Sequence, residues 1–313
     1  MSAPLRIVFM GTPDFAVPSL QALIEGPNQM VAVVCQPDRQ RGRGKVLSPP
    51  PVKVLAEQHD IPVLQPPSVR KEPFLEQLRE LAPDLLVVVA YGKILPASLL
   101  QLPRLGAINV HGSRLPKYRG AAPIQWAVIN GETETGITIM QLDEGMDTGD
   151  ILLTVPVTIG PQETAGELFD RLARLGGETL GPAIERLKQG QLTPQPQDHT
   201  LASAAPMLTK EMGHLDWSLP AARLHCLIRG LDPWPSAYGF IDSKRYRFFN
   251  PEIVRYKAAQ PPGTLCRVDN QGLLIATGED SLLIREIQPE GKKRMEVATC
   301  LRGAHITPGT PIT

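Results

Sequence analysis

The stretch GAINVHGSRLPKYRGAAP, Gly106–Pro123, ends an apolar run with Asn109 and His111 and then turns into glycine, proline and positive charge. In a strand, residues two apart share a face, so Asn109 and His111 point the same way. An amide can donate to a developing oxyanion. An imidazole can move a proton or, when charged, stabilise that oxyanion. The bland alternative is a hydrogen-bonded polar strand end, and spacing alone does not separate the two. A second segment, QLDEGMDTGDI, sets Asp143, Asp147 and Asp150 between glycines. One of these aspartates could orient His111 and favour its charged form. A solvated turn would use the same residues.

A third segment, QPDRQRGRGKVLSPPPVK, carries five basic residues and one acidic one among glycines and prolines. Arg39, Arg41, Gly42, Arg43 and Lys45 form its centre. Such a loop is either a solvated surface or a phosphate-backbone contact whose affinity falls with salt. Lys292, Lys293 and Arg294 form a second cluster open to the same two readings. Trp126, Trp217 and Trp234 are scattered and read as packing residues rather than a base-stacking set.

Some chemistries lack their signatures. FMGTPDFAVPSL stands where a dinucleotide fingerprint would, but G-x-G-x-x-G is missing, which disfavours a dehydrogenase. The six histidines show no metal-ligand spacing, so no metal is expected. Cys35, Cys226, Cys266 and Cys300 are far apart, as in a reduced protein without a disulfide framework. The N-terminal apolar segment is too short for a signal peptide, and no run reaches the ~18 apolar residues of a membrane span. A cytoplasmic location without membrane association is the expectation.

The elements that must position these residues alternate strand and helix. RIVFMG, MVAVVCQ, IPVLQP, LLVVVAYG and GAINVHG read as strands. Helical spacing lies between them, as in KEPFLEQLRELAPD with Phe74, Leu75, Leu78 and Leu81 on one face. The rhythm predicts an α/β domain, a Rossmann-like mostly parallel sheet covered on both faces. TGITIMQLD and ILLTVPVTI add two strands, the second of them antiparallel. A long helix starts at Thr164, and Pro182 should kink or split it. Residues 190–207 are polar, proline-rich and aperiodic, and read as a linker. Beyond it, short strands with turn signals at 269–272 and 278–281 suggest a small β-barrel of the oligonucleotide-binding (OB) type. The domain reading is therefore 1–189, a linker at 190–207, and 208–313. Net charge is zero over the whole chain, but 14 basic against 11 acidic residues from Leu208 onward leave that part at +3. A polyanionic partner must then be met by local patches.

Taken together, NVHGSRLPKYRGAAPIQWAVINGETETGITIMQLDEGMDTGDIL resembles the core of the folate-dependent formyltransferases. MGTPDFAVPSL, QPDRQRGRGKVLSPPPVKVLA and LTKEMGHLDWSLPAARLHCLIRGLDPWPSAY resemble the branch of that family that acts on methionyl-tRNA. The resemblance implies transfer of the formyl group of 10-formyltetrahydrofolate, a cosubstrate, to the α-amino group of methionyl initiator tRNA, with no metal. It implies Asn109, His111 and Asp147 as the catalytic trio, with Asp147 orienting His111. It implies Ser113, Arg114, Leu115 and Pro116 as the folate-binding turn and Phe15 as a neighbour of the methionine side chain. It also implies that the loop around Arg43 enters the acceptor stem, that the C-terminal domain, with Lys292 and Lys293, holds tRNA, and that the protein is a monomer. Two departures stand out: Arg114 where the family has an apolar residue, and Gln40-Arg41 where it has Pro-Ala. A formyltransferase acting on a nucleotide sugar or on glycinamide ribonucleotide would keep the trio, but would leave the basic loop and the C-terminal domain unexplained. A non-catalytic tRNA-binding module would have no need of the trio.

Overall fold

The computed structural model describes residues 3–41, 46–256 and 258–313. The chain forms two compact units that interleave in sequence. The first comprises Met1–Pro123, Thr135–Val157 and Phe169–Ala205; the second comprises Ile124–Glu134, Thr158–Leu168 and Pro206–Thr313.

In chain order the elements of the first half are β1 (Arg6–Gly11), α1 (Val17–Ile24), β2 (Gln29–Val34), β3 (Arg39–Arg41), β4 (Val46–Ser48), α2 (Pro51–Gln58), β5 (Val63–Leu64), α3 (Glu72–Leu81), β6 (Leu85–Val89), α4 (Ala97–Leu100), β7 (Ala107–His111), α5 (Pro123–Ile129), β8 (Glu134–Gln141), β9 (Ile151–Thr158) and α6 (Ala165–Lys188). A seven-stranded sheet has the order β5-β2-β1-β6-β7-β8-β9. The strands from β5 through β7 are parallel. The first antiparallel strand is β8, paired with β7, so the reversal comes one strand earlier than the sequence suggests. Every residue of β6 and β7 is buried, which explains their unbroken apolar runs. Alternate residues Val8, Met10, Ala32, Val34, Leu86 and Val88 share one core with Phe74, Leu75 and Leu78 of α3. Each of those three helix side chains contributes about 1.5–3 kcal/mol by leaving water. Strand order reverses between β1 and β6, since β2 lies on one side of β1 and β6 on the other. Ligands of such sheets bind outside the carboxyl ends of the strands at this switch point. The chain after β1, β6 and β7 therefore defines where a site can form.

The second unit carries α7 (Ala221–Gly230), β10 (Tyr238–Ile241), β11 (Lys244–Val254), β12 (Leu265–Asp269), β13 (Gly272–Ala276), β14 (Ser281–Pro289), β15 (Met295–Glu296) and α8 (Val297–Leu301). Its strands follow the antiparallel path β10-β11-β14-β13-β12, with β15 on β14. Both expected tight turns are present: Asp269 pairs with Gly272 and Ala276 with Ser281. Residues at the C-terminal end bridge both edges of the path, Ile312 to Ile241 and Pro311 to Thr264. These bridges satisfy edge groups that would otherwise template association, on a sheet curled into a half-barrel.

Two sequence expectations, on Pro182 and Trp234, need correction, and Arg294 is distinguished from its neighbours. Helix α6 runs through Pro182 without splitting. Its start at Thr164 is a capping box: the Thr164 N–H and hydroxyl donate to Glu167 Oε2, and the Glu167 N–H donates to Thr164 Oγ1. Trp217 is buried edge-on against Phe248, and Trp126 donates its ring N–H to the Pro206 carbonyl, but Trp234 is 51% exposed and is not a packing residue. Arg294 is separated from the neighbouring lysines by its partners. It pairs with Asp232 at 3.0 Å and Glu286 at 2.6 Å and lies over the Phe249 ring. Lys292 and Lys293 are exposed. The four cysteines are all free.

Candidate active site

Strand β7 delivers the first two residues of the site. Asn109 lies opposite Val88 and Met140, and His111 opposite Thr138. Both are buried in the protein, at 8% and 6% exposure, where a polar side chain needs partners or a task. The chain then turns through 112–122. Thr138 pins this turn from β8: its hydroxyl donates to the Ser113 carbonyl at 2.7 Å and accepts the Leu115 N–H at 3.2 Å. The Ser113 hydroxyl donates to the Lys117 carbonyl at 2.7 Å. Tyr118, in the left-handed region at φ 63°, brings its carbonyl 3.0 Å from His111 Nε2. A carbonyl only accepts, so Nε2 carries the hydrogen and Nδ1 is the other face of the ring.

Nδ1 faces Asp147 Oδ1 at 3.7 Å. That is ion-pair range but longer than a hydrogen bond. The carboxylate is fixed through its other oxygen, which accepts the Gly120 N–H at 2.8 Å. Gly120 has φ 124°, and a Cβ there would sit 2.7 Å from the Ala205 carbonyl oxygen, so both backbone conformation and space demand glycine. Asp147 is itself left-handed at φ 54°. Of the three aspartates in its loop, Asp147 alone pairs with His111. Asp143 is spent within the loop, accepting from the Thr148 hydroxyl and the Gly145 N–H. The Asp150 carbonyl accepts the Gln141 N–H.

The site has a third wall, taken from the stretch that sequence reads as linker. Gln195 bridges Ile151. Gln197, 6% exposed, donates to the carbonyls of Asp147 and Gly149. The Ser203 hydroxyl accepts the Tyr118 N–H, and the Ser203 carbonyl accepts the Arg119 N–H. Residues 195–205 are thus a strap across the two loops of the candidate site. Thr138, Gln197 and Ser203 have no signature in the sequence, because each works through a backbone group of another segment.

Phe15 follows β1 in a short 3-10 turn at Asp14–Ala16, buried, with its ring 5.2 Å from that of Phe169. In the Ser113–Pro116 turn, Ser113 and Leu115 are buried and Arg114 is exposed. Strands β3 and β4 form the base of the basic segment, Arg39 pairing with Ser48. Arg39 is exposed; Gly42, Arg43 and Lys45 lie outside the described residues. Lys53 belongs to the base rather than the basic surface. Its ammonium binds both Asp38 oxygens at 3.0 Å and Gln65 at 3.0 Å. Hydrogen bonds from Gln65 and Lys53 hold the Asp38 carboxyl below its ordinary value. Among the described residues no group of three or more His, Cys, Asp or Glu side chains could hold a metal ion, and no helix is long and apolar enough to cross a membrane.

Comparison with known proteins decides among the readings. The Formyl transferase family model matches residues 5–184, and the Formyl transferase, C-terminal domain model matches residues 207–305. The chain is 60% identical over 302 residues to the methionyl-tRNA formyltransferase of Desulfotalea psychrophila, covering 96% of this chain and 94% of that one. The chain belongs to the methionyl-tRNA formyltransferase family. It is also 50% identical over 308 residues to the enzyme of that name from Geobacter sulfurreducens, covering 98% and 96% of the two chains. Among solved structures it is similar to an N-formyltransferase from Helicobacter canadensis in complex with folinic acid and dTDP-3-aminofucose, with a TM-score of 0.69 and 17% identity over 93% of this chain and 100% of the other. That likeness extends the shared fold to distant formyltransferases. The formyl donor of the family is formyltetrahydrofolate.

Proposed function

We propose that this formyltransferase transfers the formyl group of 10-formyltetrahydrofolate to the α-amino group of methionyl initiator tRNA, with Asn109, His111 and Asp147 as its catalytic residues. The observation that carries the reading is that Asn109 and His111 share one buried strand face at the carboxyl end of β7, with the half-buried Asp147 of a separate segment paired to His111. The amine attacks the formyl carbon, a C–N bond forms, and the carbonyl electrons move to oxygen. The Asn109 amide donates to that oxyanion. His111, whose Nε2–H is held by Tyr118, takes the proton lost by the amine on Nδ1, facing Asp147. Collapse of the tetrahedral species breaks the C–N bond to folate, and the leaving nitrogen takes the proton held by His111, which returns to neutral.

The folate-binding turn is Ser113–Pro116. The bonds of Ser113 and Leu115 fix the turn from within, Arg114 is exposed, and a cation suits the carboxylates of a folate tail. Phe15 borders the methionine side chain. The basic loop Arg39, Arg41, Gly42, Arg43 and Lys45 and the exposed Lys292 and Lys293 contact tRNA phosphates. Residues 208–313 form the tRNA-holding domain after the 190–207 connection. The protein acts in the cytoplasm as a monomer.

The test is an assay with 10-formyltetrahydrofolate and methionyl initiator tRNA, with methionyl elongator tRNA and free methionine in parallel. Formylation confined to the initiator tRNA is the expected result. Folate binding without tRNA formylation would replace this reading with that of a small-molecule formyltransferase.

A further inference from the structure

Gln197 is a buried amide whose hydrogen-bonding capacity is spent inside the protein. Its Nε2 donates to the Asp147 carbonyl at 2.9 Å and the Gly149 carbonyl at 2.7 Å. Its Oε1 accepts from Arg119 Nε at 3.1 Å and Nη2 at 2.6 Å. Two donors and two acceptor positions are filled, which fixes both the place and the orientation of the amide. Arg119 Nη2 also donates to His199 Nδ1 at 3.1 Å.

What Gln197 holds is a backbone that needs holding. Asp147 is a non-glycine residue in the left-handed region, a conformation that costs of order 1 kcal/mol or more and persists only where the surroundings impose it. Gln197 grips the carbonyl of Asp147 itself and that of Gly149 two residues on. Arg119 sits at the other junction of the site. The residue before it, Tyr118, holds His111; the residue after it, Gly120, holds the Asp147 carboxylate. The Arg119 backbone is tied on both sides, its N–H to Ser203 and its carbonyl to the Ala205 N–H. The result is a closed ring, His111–Tyr118–Arg119–Gln197–Asp147, in which the arginine–glutamine link sets the separation of the catalytic histidine and aspartate.

From this ring we propose that Gln197 is a positioning residue for formyl transfer, acting through Asp147 and anchored by Arg119. The inference rests on the catalytic assignment of Asp147 made above. Nothing in its local sequence, TPQPQDHT, distinguishes Gln197 from an ordinary linker residue.

The test is a double-mutant cycle of Gln197→Leu with Asp147→Asn, read in single-turnover formyl transfer and in folate KM. Gln197→Leu should lower kcat about tenfold with folate KM within about twofold. In the Asp147→Asn background the same change should cost less than about twofold, because its route to the chemistry is already cut. A full tenfold loss in both backgrounds would overturn the proposal, as would an unchanged kcat. Arg119→Lys keeps a charge but loses the forked grip on Oε1. It should give a smaller kcat loss, suppressed in the same way, and serves if Gln197→Leu does not fold. A readout independent of activity is amide exchange in the substrate-free protein. The Gly120 amide, which donates to Asp147, should lose protection in Gln197→Leu, while the Arg119 amide, which donates to Ser203, should keep it. Equal loss at both amides would mean general loosening and would refute positioning. A wild type that fails to formylate methionyl-tRNA would sink the proposed substrate alone, because the exchange measurement still judges the positioning role.

Discussion

Replacing Asp147 by Asn removes a charge while preserving the local geometry. The amide oxygen of Asn can still accept the Gly120 N–H that fixes the Asp147 carboxylate at 2.8 Å, so the loop keeps its anchor. What disappears, under the proposed mechanism, is the attraction between the carboxylate and the positive charge His111 acquires when it takes the amine's proton. At the 3.7 Å separation of Nδ1 and Oδ1, Coulomb's law gives about 1.1 kcal/mol in bulk water and about 4.5 kcal/mol at an effective dielectric constant of about 20. The side chains are only 7% and 17% exposed, which favours the upper part of that interval. At about 1.36 kcal/mol per decade, the expected loss in kcat lies between roughly 6-fold and 2,000-fold. Folate should bind nearly as before, since the lost interaction exists only once charge has developed. The assay is single-turnover transfer from 10-formyltetrahydrofolate to saturating methionyl initiator tRNA, with folate KM measured alongside. A kcat within threefold of wild type would refute the charge-pairing argument. A kcat loss matched by an equal rise in folate KM would place Asp147 in ground-state binding instead.

Other outcomes follow from the same structure. His111→Ala should lower turnover far more than folate affinity, and equal losses would remove its catalytic role. Replacing the exposed Lys292 and Lys293 together by Ala should raise KM for tRNA but not for folate, and should flatten the dependence of log binding constant on log salt by up to about 1.8 if both meet duplex phosphates; an unchanged slope would exclude phosphate contacts there. In the second unit, burial, helped by the charge of Arg229, pushes His225 down from 6.5 to about 4. The folded state then keeps this histidine neutral where the unfolded chain protonates it, so its share of stability is present above pH 6.5 and is lost as pH falls toward 4. Between pH 7.5 and pH 5 that loss is about 2 kcal/mol. Urea unfolding of wild type and His225→Gln at both pH values checks it, because the difference between the two proteins should shift by that amount toward the variant at pH 5. A difference independent of pH would refute the assignment.

The parts of this molecule legible in its sequence are those that obey a period. Alternation across a strand puts Asn109 and His111 on one face, and unbroken Val/Ile/Leu runs give the parallel sheet that buries them. Helical spacing likewise finds α3 through Phe74, Leu75 and Leu78. Where function is carried by backbone groups, the sequence is silent. Asp143, Asp147 and Asp150 look alike in a glycine-rich loop, and the choice among them is made by the N–H of Gly120, 27 residues away in sequence and adjacent only after the chain has folded. Residues 195–205 look like a linker for the same reason. Their task is to meet the main-chain groups of residues 118–122, 147, 149 and 151, and a main-chain group imposes no residue type on its partner beyond the ability to donate or accept. Trp234 and Arg294 show this differently. An aromatic residue is read as packing and turns out exposed, and a basic residue in a cluster open to two readings stays at the surface but is held by two carboxylates and a ring. In both cases composition gives the average behaviour of a residue type, while the outcome depends on partners brought from more than forty residues away, Asp232 and Phe249 for Arg294. A polar aperiodic stretch beside an α/β sheet is therefore better judged by whether its amides can meet the backbone of the candidate-site loops than by its lack of pattern, and Gln197 is where that distinction can be measured.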